Sequence, residues 1–178
     1  MSWQYVDLGA NRGKTVSDWL KKRPQSQVLA LEPCAELAAK LHARYKGDDR
    51  VDVRAQAAGT EDRVVNFYTG LKSDQSSTCV MGKTGKYGVD YQHPVRVPQA
   101  DMDRVLTEWW EPGHRSVMKI DIEGAEYELV PYLIERGWAE KFEEIRIEWH
   151  AHKFGIDPAV HDRIKKDLES RTRVVPWK

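Results

Sequence analysis

The chain has 178 residues, enough for one domain with a sizeable core and short for a catalytic domain plus a substrate domain. Its 28 lysines and arginines are matched by 28 aspartates and glutamates, so no global field favours nucleic acid or an anionic membrane. Two cysteines, Cys34 and Cys79, make no Cys-x-x-Cys pair, no apolar run approaches the roughly 18 residues of a membrane span, and no basic, apolar leader precedes the first strand; the expectation is a single cytoplasmic domain, 1–178, with reduced thiols.

Apolar runs bounded by turn residues predict the elements in order. Trp3 to Leu8 reads as a strand, followed by the turn Gly9-Ala10-Asn11-Arg12-Gly13 and a helix whose Val16, Trp19 and Leu20 share one face and which stops before Pro24. Val28 to Leu31 is a second strand, ending at Glu32-Pro33, and Leu37, Leu41 and Tyr45 mark a second helix that ends at Gly47. Val51 to Val53 and Val64 to Tyr68 read as further strands, the first leading to Gln56-Ala57-Ala58. The stretch from Thr69 to Pro94, rich in Gly, Ser, Lys and Thr, reads as a long loop: either a functional lid or a solvated segment. Its Lys72, Lys83, Lys86, Tyr87 and Tyr91 are the groups that would meet an acidic or sugar acceptor.

A third helix carries Met102, Val105, Leu106 and Trp109. Val117 to Ile122 is a strand running into Asp121-Ile122-Glu123-Gly124, and a helix with Ala125, Leu129, Leu133 and Ile134 follows, with a kink expected at Pro131. Ile145 to Trp149 ends at Glu148-Trp149-His150, and Val160, Ile164 and Leu168 form a last amphipathic helix. Strands alternating with helices specify an open, mostly parallel sheet covered on both faces, and ligands in such sheets bind beyond the carboxyl ends of the strands. Asp7 and the glycine turn, Glu32, Asp121, Glu123 and His150 all stand at such ends.

Gly13-Lys14-Thr15 invites a P-loop reading, hence a nucleotide phosphotransferase. The P-loop, however, needs four residues between its glycines, and Leu8 stands where the first glycine should be. A dinucleotide fingerprint is absent too, because Asn11 occupies its middle position. What Asp7-x-Gly9-x-Asn11-x-Gly13 does provide is close backbone approach to an adenosyl ligand, with Glu32 placed to accept from both ribose hydroxyls.

Val6 to Gly13, then Leu31-Glu32-Pro33, then Lys119-Ile120-Asp121-Ile122-Glu123-Gly124-Ala125-Glu126, then Ile147-Glu148-Trp149-His150 resemble, in order and spacing, the FkbM-type S-adenosylmethionine-dependent methyltransferases. The Lys119 to Glu126 string is the most specific part. Val97 to Leu106, with Asp103, resembles the family's segment before that strand, and Ser76-Ser77 falls where the family often has a serine-containing loop. The resemblance implies a Rossmann-like class I methyltransferase α/β fold and S-adenosylmethionine as cofactor, with S-adenosylhomocysteine as product. Asp7, Gly9, Ala10, Asn11, Gly13, Glu32 and Pro33 would hold the cofactor, with Gln56 and Ala57 near the adenine. Asp121, Glu123 and His150 would face the methyl group, with Lys119 acting beside them or pairing with a neighbouring carboxylate. The acceptor expected is a hydroxyl of a small molecule or sugar, with Asp121 or His150 as base.

Three alternatives stay open from sequence: Asp121 and Glu123 as helix caps, Asp121, Glu148 and His150 as metal ligands, and a non-catalytic module that has kept the fold. Relative to the family, the chain is expected to have a sheet trimmed at its termini, with covering elements missing or supplied by another copy in a homo-oligomer.

Overall fold

The structure, a computed structural model, describes residues 2–72, 76–85 and 88–177. Among these, six strands form one sheet: β1 (Trp3–Leu8), β2 (Gln27–Leu31), β3 (Val51–Arg54), β7 (Arg115–Ile120), β8 (Glu144–Ile147) and β9 (Arg173–Pro176), in the order β3-β2-β1-β7-β8-β9. Every neighbouring pair is parallel. The connections are helical: α1 (Lys14–Lys22), α2 (Ala35–Arg44), α3 (Met102–Trp109), α4 (Glu126–Glu135), the short α5 (Ala151–Phe154) and α6 (Pro158–Glu169). The fold is Rossmann-like.

Side-chain alternation along the strands divides the core into two layers. Tyr5, Val28, Ala30 and Val117 face one way and pack with Val16, Trp19 and Leu20 of α1 and Leu41 of α2. Val6, Leu8, Leu29, Leu31, Met118, Ile120 and Ile145 face the other way, against α3, α4 and Leu168 of α6. Trp19 stacks on Tyr5 with ring centroids 4.4 Å apart, which welds α1 to the central strand. Asp7 and Lys119 continue the first layer, and their register pairing across β1 and β7 makes them neighbours inside the sheet.

Two points depart from the predicted elements. Val64 to Tyr68 does form a strand, β5 (Arg63–Phe67), but it joins β4 (Ala57–Gly59) and β6 (Val95–Asp101) in a separate three-stranded sheet of order β4-β6-β5. Strands β4, β6 and β9 gave little signal, since β4 is Ala-Ala-Gly and the other two contain Pro98 and Pro176. Helix α4 runs through Pro131 without ending, and the six-stranded sheet closes on the parallel β9, with no antiparallel hairpin in it among the described residues. The gap between β5 and β6 contains the long loop expected from 69 to 94; Lys86 and Tyr87 lie outside the described residues. Among the described residues, no helix is long and apolar enough to cross a membrane.

Candidate functional site

Strand order reverses between β1 and β7, and a cavity of about 800 Å³ opens there, beyond the carboxyl ends of the strands. That volume lies within the range usual for small-molecule clefts. One side is built by the β1–α1 turn. The chain leaves Leu8 through Gly9 at φ 81° and Asn11 at φ 49°, and enters α1 through Gly13 at φ 71°. Gly9 must be glycine for a second reason: a Cβ there would sit 2.0 Å from the Asp121 carbonyl oxygen.

Glu32, at the end of β2, closes this side. It is 5 % exposed, and its Oε2 accepts from Asn11 N at 2.8 Å while Oε1 accepts from Cys34 N at 2.8 Å. Oε2 therefore braces the turn and Oε1 the start of α2, and each retains a further lone pair for a hydroxyl. Burial raises the Glu32 pKa, and the two backbone N–H donors with Lys119 only partly offset this.

Lys119 joins this side to the opposite one. Its Nζ donates to Gly9 O at 2.7 Å and lies 3.1 Å from Asp7 Oδ1 and 3.5 Å from Asp121 Oδ2. Burial presses the lysine pKa down, but the two carboxylates overcome that and raise it, so the ammonium persists inside the protein. Asp7 is fully buried, accepts from Thr15 Oγ1, and acts through Lys119 instead of touching the cavity.

The other side comes from the β7–α4 and β8–α5 turns and the long loop. Glu123 adopts φ 50°, an unusual conformation for glutamate, and Gly124 follows at φ 106°. Thr78 Oγ1 donates to Glu123 O at 2.6 Å, and the Glu123 Oε2 atom takes Lys83 at 2.8 Å and Lys153 at 3.1 Å. Burial lowers the Lys83 pKa, and Glu123 offsets only part of that. Thr84 donates from Oγ1 to Lys153 O at 2.9 Å, so the described part of the loop is fastened across the cavity onto α5.

Behind these groups lies His150, completely buried, with Nδ1 3.0 Å from Glu126 Oε1. Glu126, also completely buried, further accepts from His150 N and Gly124 N, each at 2.8 Å. Burial alone would lower the imidazole pKa, but Glu126 and Glu123 raise it. His150 Nε2 stands 3.3 Å from Glu123 Oε2, 3.4 Å from Glu148 Oε1 and 3.9 Å from Asp121 Oδ1.

Among the residues expected from sequence, Gly9, Ala10, Asn11, Glu32, Pro33, Ala57, Lys119, Asp121 and Glu123 line the cavity. Asp7, Gly13, Gln56 and His150 do not: Asp7 and His150 lie behind the wall, and Gly13 packs against Leu41. The capping alternative for Asp121 and Glu123 does not describe α4, whose N-cap, Ala125, has no side-chain hydrogen bond. Lys14 and Thr15 both border the cavity, but Lys14 pairs with Asp18 at 2.5 Å and Thr15 donates to Asp7, so neither is arranged to grip a phosphate. Trp109, Trp110 and Trp149 pack on the core instead of lining the cavity.

Sequence reasoning gave no role to Glu126, Lys153 or Thr78 and saw Lys83 only as a loop cation. Only Glu126 carried a signal, as the last residue of the Lys119 to Glu126 string. A family model described as the methyltransferase FkbM domain matches residues 7–172. Neither curated proteins nor solved structures give a match.

Proposed function

The chain belongs to the FkbM methyltransferase family, and from that premise we propose that it transfers the methyl group of S-adenosylmethionine to a hydroxyl of a small molecule or sugar, with the cofactor seated between the β1–α1 turn and Glu32. The observation that carries this reading is the cavity at the β1/β7 switch point, with a backbone-built side and an acid- and lysine-lined side facing one another. When bound, S-adenosylmethionine supplies an electrophilic methyl on a sulfonium, which leaves as the neutral thioether once the acceptor oxygen has taken the methyl.

The residues fit that cofactor. Glu32 keeps a lone pair on each oxygen for the ribose hydroxyls, and Ala57, Ala58 and Phe67 offer apolar surface to a purine. The start of α1 offers backbone N–H groups to a carboxylate. Asp121 and Glu123 present negative charge from the opposite side, where a sulfonium is favoured and a triphosphate is not. Holding cofactor and acceptor in line can supply about 7–11 kcal/mol of the barrier.

Asp121 is the group that takes the hydroxyl proton. It lines the cavity, while His150 is buried behind it. Lys119 holds Asp121 in place from the cofactor side. The test is transfer of labelled methyl onto a panel of sugars and small hydroxylated compounds. Wild type is expected to label at least one class, and Asp121→Asn to lower kcat about 10²–10⁴-fold while S-adenosylhomocysteine still binds. Unchanged turnover in Asp121→Asn would remove that residue from the role of base.

A further inference from the structure

His150 and the carboxylates around it have a geometry that ion pairing does not explain. Three carboxylates approach one ring nitrogen: Glu123 at 3.3 Å, Glu148 at 3.4 Å and Asp121 at 3.9 Å. Yet Nε2, on a fully buried ring, has no hydrogen-bond partner, so its lone-pair or N–H direction meets none of the three squarely. The other nitrogen is fixed by Glu126, whose carboxylate accepts from Nδ1 and leaves Nε2 as the atom directed into the cluster. A histidine oriented by a carboxylate on one nitrogen, with the other aimed among acidic groups, is the arrangement found behind metal ligands.

The spacing agrees. Two ligands each about 2.0–2.2 Å from one ion stand roughly 2.8–3.6 Å apart when they are adjacent in an octahedral or tetrahedral shell. His150 Nε2 meets that span with Glu123 at 3.3 Å and Glu148 at 3.4 Å, whereas the ligand atoms of Asp121, Glu123 and His150 lie within 4.8 Å of one another, so Asp121 would draw in on an ion. The charge agrees as well. In the contact network around His150 and Lys119, Asp7, Asp121, Glu123, Glu126 and Glu148 outnumber Lys83, Lys119 and Lys153, leaving an excess of two negative charges while the imidazole is neutral.

We propose that Asp121, Glu123 and His150, with Glu148 as a further ligand, form a site for one divalent transition-metal ion at the acceptor side of the cavity. An imidazole nitrogen among carboxylates suits manganese to zinc better than the oxygen-preferring magnesium or calcium. Glu126 is a positioning residue that orients His150. Glu123 Oε2 already takes two lysines, and Lys153, a quarter exposed, has room to withdraw where Lys83, 4 % exposed, does not. The role of the ion rests on the methyltransferase reading: it would bind the acceptor hydroxyl and lower its pKa, so that Asp121, ligating through one oxygen, takes an easier proton on the other.

The test is a titration of the full chain with MnCl2, followed by electron paramagnetic resonance, with S-adenosylhomocysteine binding measured separately by calorimetry. The expected result is one bound manganese per chain, spin-echo modulation from an imidazole nitrogen, and an affinity about 10–100-fold weaker in Glu126→Gln. Glu126→Gln should still bind S-adenosylhomocysteine, which reports that it folds. No manganese binding at millimolar concentration, binding without the nitrogen signature, or equal affinity in a folded Glu126→Gln would each overturn the proposal. If manganese fails to bind while S-adenosylhomocysteine binds, the methyltransferase reading survives without the ion. If neither binds, both fall.

Discussion

On the β1–β2 side of the cavity, Gly9, Ala10 and Asn11 shape the wall through their backbone, with Glu32 bracing them by accepting from Asn11 N. On the β7–β8 side, Asp121, Glu123, Glu148, Lys83 and Lys153 shape it through charged side chains drawn from the β7–α4 turn, the end of β8, the long loop and α5. The first side is local: a few consecutive residues and one carboxylate define a surface to which a nucleoside can fit. The second is assembled from contacts as distant in sequence as Thr78 to Glu123 and Thr84 to Lys153. One side is thus built from neighbouring residues, whereas the side proposed to meet the acceptor is spread over several elements.

Lys119 spans the two sides, so removing it is the severest way to break the division. Lys119→Met leaves Asp7 buried without its cation, and loss of one partner from a buried pair costs about 3–5 kcal/mol. Urea denaturation should show a drop of that size. A loss below about 1 kcal/mol, the size typical of a surface pair, would mean that the two sides are held together by something else.

Glu32→Gln probes the first side alone. Charge-assisted hydrogen bonds to ribose are worth about 1.5–3 kcal/mol, which is about a 10–100-fold loss in affinity for S-adenosylhomocysteine. The pH dependence carries a sign. Because the folded Glu32 pKa is raised, its contribution to stability is full below the ordinary glutamate value and is lost as pH rises through the folded value. Cofactor affinity runs the other way: it should fall as pH drops through that raised value, because protonated Glu32 gives up an acceptor. Calorimetry over a pH series should show this fall in wild type at higher pH than an ordinary glutamate would give, and should not show it in Glu32→Gln.

The smallest effect belongs to the loop. Thr84→Val removes one hydrogen bond to Lys153 O, worth about 1 kcal/mol. Limited proteolysis should reach the loop sooner and the KM for acceptor should rise, while S-adenosylhomocysteine affinity stays unchanged. A change in cofactor affinity with no change in acceptor KM would place the loop on the wrong side of the comparison.

The same contrast explains what was legible beforehand. Apolar runs bounded by turn residues and 3.6-residue helical stripes announced β1, β2, β3, β7 and β8 and the packed helices, because burial on both faces of the sheet fixes the strands' residue types. Strands β4, β6 and β9 were missed because they are short or contain proline. That Glu32 and Gly9 to Asn11 line the cavity was readable because chain direction alone carries them to the switch point. That Asp7 would lie behind Lys119, or His150 behind Asp121, was not readable, since both depend on which side of a strand faces the cavity and on what fills the space between. The pairing of Lys83 and Lys153 with Glu123 was hidden for the related reason that loop and α5 positions follow from tertiary contacts, with no periodicity to mark them.

The most direct test of the central claim is calorimetry of the intact chain with S-adenosylhomocysteine and, in parallel, with ATP and magnesium. The expected result is one S-adenosylhomocysteine site per chain, weakened in Glu32→Gln, and no heat from ATP. Binding of ATP with none of S-adenosylhomocysteine would contradict the assignment and return Gly13-Lys14-Thr15 to the centre of the site.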